Sequence, residues 1–201
     1  LNGGLPCDFL DPAVGAACIG SSLGCGTGKP EFQSGPGGRQ RPMKERTAMT
    51  HTPPHGMNVL SPHLVCDGAA DAIDFYKRAF GAEEMVRLAG PDGRLMHASI
   101  KVCGCSVMLV DENKNYGMLS PKALNGTPVT LHLFVADVDA AVARAVEAGA
   151  VVTMPVADMF WGDRYGVIKD PFGHSWSIAT HQRDLSAAEI QDAACKQFGK
   201  T

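Results

Sequence analysis

His63-Leu64-Val65-Cys66 and His132-Leu133-Phe134-Val135 read as two copies of one strand. After the first copy an apolar helical pattern runs to Gly81-Ala82, and after the second another runs to Gly149-Ala150. Gly104 then opens a strand-like run over residues 105–110, and Gly173 opens its counterpart over residues 174–179. The landmarks recur roughly 69 residues apart, the mark of an internal duplication. Two such units bury faces against each other, which predicts a pocket between them.

Working outward, residues 61–66 form the expected first strand and Asp67 caps a helix over residues 69–80. Ala69, Ile73, Tyr76 and Phe80 share that helix's apolar face, and Gly81 stops it. Strands follow at 84–88, 95–102 and 105–111, with Pro91-Asp92-Gly93 as a turn. Residues 113–127 read as a connector. The second unit repeats the order. A strand over 129–135 leads to Asp137, which caps a helix with Val138, Ala141, Val142, Ala145 and Val146 inward. Gly149 ends that helix, and strands follow at 151–156, 160–169 and 174–180. The expected fold class is α+β. Two tandem βαβββ modules, 59–112 and 128–181, form a curved, cup-shaped mixed sheet within a domain spanning 57–182. Ser186 and Glu189 make a capping box that opens a helix in the tail 183–201, which packs on the domain or on a second subunit.

Alternation along the strands sorts their faces. Leu64 and Cys66, Leu131 and Leu133, and Trp176 and Ile178 belong under the helices. His63, His132, Ser177 and Met108 fall on the more polar face, which should line an open concave surface.

A net charge of −3 and a pI near 6.2 supply no basic field for nucleic acid or anionic lipid. No apolar run is long enough to span a bilayer. The cysteines lack CxxC or zinc-finger spacing, and Cys103-Gly104-Cys105 is too tight for a structural zinc pair, so reduced thiols in the cytoplasm are expected. Residues 1–50 hold ten glycines and five prolines with Phe9 and Phe32 as their aromatics, a composition that cannot offset its chain entropy. Residues 1–56 are therefore expected to be a disordered extension, and the first 48 to lie upstream of a natural start, given Met49 and Met57.

The paired modules, with Ala72-Ile73-Asp74-Phe75-Tyr76, Gly81-Ala82, Asp137-Val138-Asp139 and Asp170-Pro171-Phe172-Gly173, resemble the vicinal oxygen chelate superfamily. That superfamily contains glyoxalase I, extradiol dioxygenases, and fosfomycin and bleomycin resistance proteins. The run from Met159 to Gly166 ahead of Asp170 to His174 is similar, more narrowly, to its PhnB-like branch. The resemblance implies a small-molecule pocket, a homodimer, and in the enzymes a divalent metal held by His or Glu of the first, fourth, fifth and eighth strands. Here those positions fall on Ser61, Met108, Thr130 and Ser177, none a good ligand for a hard or borderline cation.

His63 and His132 each lie two residues beyond such a position, on the same face. They would hold a metal in a shifted register with Glu112 or Asp163 as the carboxylate, or stand as hydrogen-bonded residues of a metal-free pocket. Trp161 and Phe134 would stack on a planar ligand, with Asp163 beside them, and Arg164 would clamp an anionic group. Two functions follow. One is a lyase, isomerase or dioxygenase in which His63, His132 and Arg164 are catalytic and Ser61, Met108, Thr130, Phe134, Trp161, Asp163 and Ser177 contact the substrate. The other is a metal-free protein that sequesters a small molecule or antibiotic. A quinone methyltransferase has no support, since no Gly-rich strand-to-helix turn leads to an acidic ribose contact.

Overall fold

The computed structural model describes residues 53–199. The expected disorder of the first 56 residues therefore lies, up to residue 52, outside the described residues. Each module is strand, helix, three strands. The first contains β1 (His63–Cys66), α1 (Ala69–Phe80), β2 (Glu83–Ala89), β3 (Leu95–Val102) and β4 (Cys105–Asp111). The second contains β5 (Thr130–Phe134), α2 (Val138–Glu147), β6 (Val151–Asp158), β7 (Asp163–Lys169) and β8 (Ser175–His181). α3 (Ala187–Phe198) closes the chain, its capping box formed by Ser186 and Glu189.

Strand order is β1-β4-β3-β2 in one sheet and β5-β8-β7-β6 in the other. Both are mixed: β1 runs parallel to β4 and β5 to β8, and the remaining pairs are antiparallel. A parallel pair needs a crossover, which in each module includes the helix. The β3–β4 hairpin closes tightly at Cys103-Gly104, where both residues have positive φ (48° and 80°), as a twist-matched two-residue turn requires.

The helix-covered faces meet in one core. α1 buries Ala69, Ala72, Ile73, Phe75, Tyr76, Ala79 and Phe80, and α2 buries Val138, Ala141, Val142 and Ala145. The two helices pack on each other. Val146, expected inward, is instead 44% exposed, because the stripe facing the core ends one residue earlier. Phe80 and Tyr76 meet Trp176 of β8 with ring centroids 4.9 and 5.4 Å apart, and Phe75 meets Phe172 at 6.2 Å, so module one's helix is seated on module two's last strand.

Asp170, read from sequence as a turn residue, joins the modules. Its Oδ2 accepts from the Tyr76 hydroxyl (2.6 Å) and the Trp176 indole (3.1 Å), and its Oδ1 from the backbone N–H of Phe172 and His174 (both 2.9 Å). Burial alone would push this carboxyl upward, but the His174 imidazole facing it and donation from Tyr76 and Trp176 hold it below its ordinary value.

The expected cap of α1 is overturned. Asp67 is exposed, and the helix starts from Gly68 with no side-chain cap of its own. Asp111, at the end of β4, accepts from the N–H groups of Gly68 (3.1 Å) and Ala69 (2.7 Å). Thr180 holds the same place in the repeat and accepts from Val138 N–H at 2.8 Å, while Asp137 caps α2 as expected.

Candidate functional site

The helix-free face of the β5–β8 sheet carries the densest set of candidate side chains. Register places His132 opposite Ser177, Phe134 opposite Ala179, and Tyr165 opposite Ala179 on the other side. All of these belong to the strand face pointing away from α2. His132 Nδ1 lies 2.7 Å from the Ser177 hydroxyl, which orients the imidazole. The Phe134 ring stands edge-on to it at 4.5 Å, and Tyr165 stacks near-parallel at 6.1 Å. Trp161 meets Tyr165 edge-on at 5.6 Å and packs on Phe160, which touches Phe198 of α3. This is a continuous imidazole–aromatic surface. Phe134 remains 59% exposed on it, and Thr130 is exposed at the end of the same strand.

The rim of that face is polar. The Trp161 indole donates to Asp163 Oδ2 at 3.0 Å, and His181 lies 2.7 Å from Asp163 Oδ1 and 3.0 Å from Asp184. Both carboxylates hold the His181 imidazole above its ordinary value, Asp163 most strongly. Gly162, with φ of 103°, turns the chain so that Trp161 and Asp163 can meet. Its carbonyl accepts from the N–H groups of Gln182 and Arg183.

Arg164 does not join this surface. Its register partner is Thr180, on the helix side of the sheet, and its guanidinium donates to Asp139 of α2 at 2.6 and 2.8 Å and to Asp158 at 3.1 Å. Alternation sets this: Arg164 follows Asp163 by one residue and so points to the opposite face. Two carboxylates occupy the group that sequence reasoning assigned to an anionic substrate.

The corresponding face of the first sheet carries His63, His97, Ser99 and Met108, with Val86 and Leu88 about half exposed beside them. His63 meets His97 edge-on at 6.1 Å, and burial, then the neighbouring imidazole, holds His63 below its ordinary value. His63 lines a cleft with Leu64, Leu131 and His174, and His132 is not among that cleft's walls. The repeat-related histidines sit on different sheets, which are joined through their helices.

The positions where the resemblance places metal ligands are committed elsewhere or chemically unsuited. Ser61 Oγ is 2.5 Å from Ser106 Oγ, Ser177 bonds His132, Thr130 offers a neutral hydroxyl, and Met108 a thioether. Glu112 accepts from the Ser120 N–H (2.8 Å) and hydroxyl (2.6 Å), which, with the hydroxyl leading, lower its carboxyl value. Among the described residues no three His, Cys, Asp or Glu side chains converge on one point. This donor set does not fit a divalent cation.

Comparison with known proteins agrees with the architecture. The sequence model of the Glyoxalase/Bleomycin resistance protein/Dioxygenase superfamily matches residues 56–178. The uncharacterized protein Rv0887c of Mycobacterium tuberculosis is 51% identical over 141 residues, covering 69% of this chain and 83% of that protein. The X-ray structure of the Arabidopsis thaliana At5g48480 product superposes with a TM-score of 0.51 at 31% identity, over 61% of this chain and 98% of that one. Protein PA1353 of Pseudomonas aeruginosa shares the fold at a TM-score of 0.51 and 24% identity, over 62% and 98%. With the duplicated βαβββ modules and this match over most of the described residues, the chain belongs to the glyoxalase/bleomycin resistance protein/dioxygenase superfamily.

Proposed function

We propose that the helix-free face of the β5–β8 sheet binds a flat organic molecule without a metal, and that a second copy of the chain closes the site in a homodimer. The array of His132, Phe134, Tyr165 and Trp161 carries this reading. Stacked and edge-on rings offer a large apolar area at low entropic cost, and Ser177 fixes the one polar group at its centre. Half-exposed Val86 and Leu88 on one sheet and Phe134 on the other are side chains a partner would cover. Within the superfamily, the Met159–Gly166 run favours the PhnB-like branch. No helix among the described residues is long and apolar enough to cross a membrane. The free thiols of Cys66, Cys103, Cys105 and Cys195 suit a reducing, cytoplasmic setting.

One observation favours a second reading, a metal-independent lyase or isomerase. With Nδ1 held by Ser177, the other nitrogen of His132 is free to move a proton. Titration of Trp161 fluorescence against a library of aromatic compounds, with light scattering for the oligomer, tests the main reading. Saturable quenching lost in Phe134→Ala supports it. Failure of every compound to quench or to raise the melting temperature overturns it, and turnover lost in His132→Gln replaces it with the second.

A further inference from the structure

A separate cleft of ≈ 330 Å³ opens between β1 and the connector leading into β5. Its walls include Leu64, Leu119, Leu124, Pro128, Val129 and Leu131, and no Lys, Arg, Asp or Glu lines it. An ion placed there would lack compensation, so the cleft favours a neutral occupant. Its size is at the small end for ligand sites, about 300–1,000 Å³.

Of the polar side chains lining the cleft, His63, Thr127 and His174, the buried one is His174, whose side chain is 8% exposed. Its Nδ1 lies 3.4 Å from Asp170 Oδ2, yet it is buried without a hydrogen bond. Asp170 is already engaged by Tyr76, Trp176 and two backbone N–H groups, which fix the carboxylate where it stands. A carboxylate facing Nδ1 favours the tautomer with its proton on that nitrogen, and the lone pair then resides on Nε2. Among the described residues nothing in the protein donates to Nε2. The imidazole lining this apolar cleft thus keeps an accessible acceptor that no protein group fills, and His63 and Thr127 line the same cleft.

We propose that this cleft is a binding site for a small, neutral, apolar molecule bearing one O–H or N–H donor, a phenol-type compound, which donates to His174 Nε2. The site is independent of the aromatic face on the β5–β8 sheet. Asp170 acts as a positioning residue, holding the tautomer that accepts.

The test uses the full chain, with phenol and its methyl ether anisole as probes, followed by NMR of the leucine methyls and histidine rings. Phenol is expected to bind saturably, shifting Leu124, Leu131 and His174. Anisole, with no donor, should bind about tenfold more weakly, the worth of one hydrogen bond. Leu124→Trp, at a position 57% exposed on the rim, should abolish phenol binding while leaving the fold intact. His174→Gln should weaken phenol and leave anisole unchanged. The proposal is overturned if phenol does not saturate, if phenol and anisole bind equally, if Leu124→Trp leaves binding unaltered, or if shifts are confined to the His132 ring on the aromatic face.

Discussion

Replacing Tyr76 by Phe removes one hydroxyl from the buried junction between the modules, and its cost follows from the geometry there. The hydroxyl donates to Asp170 Oδ2 at 2.6 Å with both residues fully buried, and Trp176 shares the same oxygen. A hydrogen bond to a charged acceptor is worth about 1.5–3 kcal/mol. Phe retains the ring contacts with Phe75, Phe80 and Trp176, so little packing is lost with the hydroxyl. For a domain of this size the melting temperature should fall by about 3–12 °C. Asp170→Asn should cost more, about 3–5 kcal/mol. Its amide can present oxygen to the Phe172 and His174 N–H groups or to the Tyr76–Trp176 pair, but not to both, and the indole cannot reverse its role. Urea unfolding of the wild type, both single variants and the double variant measures the coupling directly. A Tyr76→Phe loss below about 0.5 kcal/mol, or an Asp170→Asn loss no greater than that of Tyr76→Phe, would refute the claim that this carboxylate locks the modules. The pH dependence has a fixed sign. Because the folded Asp170 carboxyl lies below its unfolded value, its contribution is full above pH about 4 and is lost as pH falls through the folded value. The gap between wild type and Asp170→Asn should therefore narrow on acidification.

Three further outcomes are expected. Glu84, hydrogen-bonded by Arg87 and then Lys77, should titrate at about 2 by NMR, so the cluster acts in full above pH about 4.3 and is lost as pH falls from there through about 2; Arg87→Gln should return the carboxyl towards normal. The His181 imidazole should titrate above pH 6.5. Its link to Asp163 and Asp184 is present in full below that pH and lost as pH rises through the folded value, and Asp184→Asn should lower the midpoint seen in the ring proton shifts. Gly162→Ala combines a positive φ with a Cβ driven into the Arg183 carbonyl, and should cost at least about 1–3 kcal/mol; a blue or red shift of Trp161 emission would accompany it, and an unchanged melting temperature would contradict it.

The candidate site was legible in pieces. Alternation along β5 and β8 correctly assigned His132 and Ser177 to one face, since period-two geometry is local. The same rule, applied one residue further along β7, would have turned Arg164 away from the ligand surface. A glycine-centred turn nearby made either facing plausible, and the carboxylates of Asp139 and Asp158 that hold the side chain are distant in sequence. Proximity in sequence points to Asp67 as the cap of α1, whereas Asp111 reaches the helix from β4 across 42 residues. No local signal marks such a partner, although its repeat mate Thr180 plays the same part for α2.

Amino-acid order alone determined the duplication, the element types and, Val146 apart, the buried stripe of each helix, because propensity and periodicity act over a few residues. Tertiary structure alone decided that the modules join through α1, α2 and the Asp170 network, with His63 and His132 on separate sheets. The reason is physical. Which faces of two similar units meet depends on the side chains that fill the space between them, here the rings of Phe75, Tyr76, Phe80 and Trp176, and on a buried carboxylate that must find donors from both.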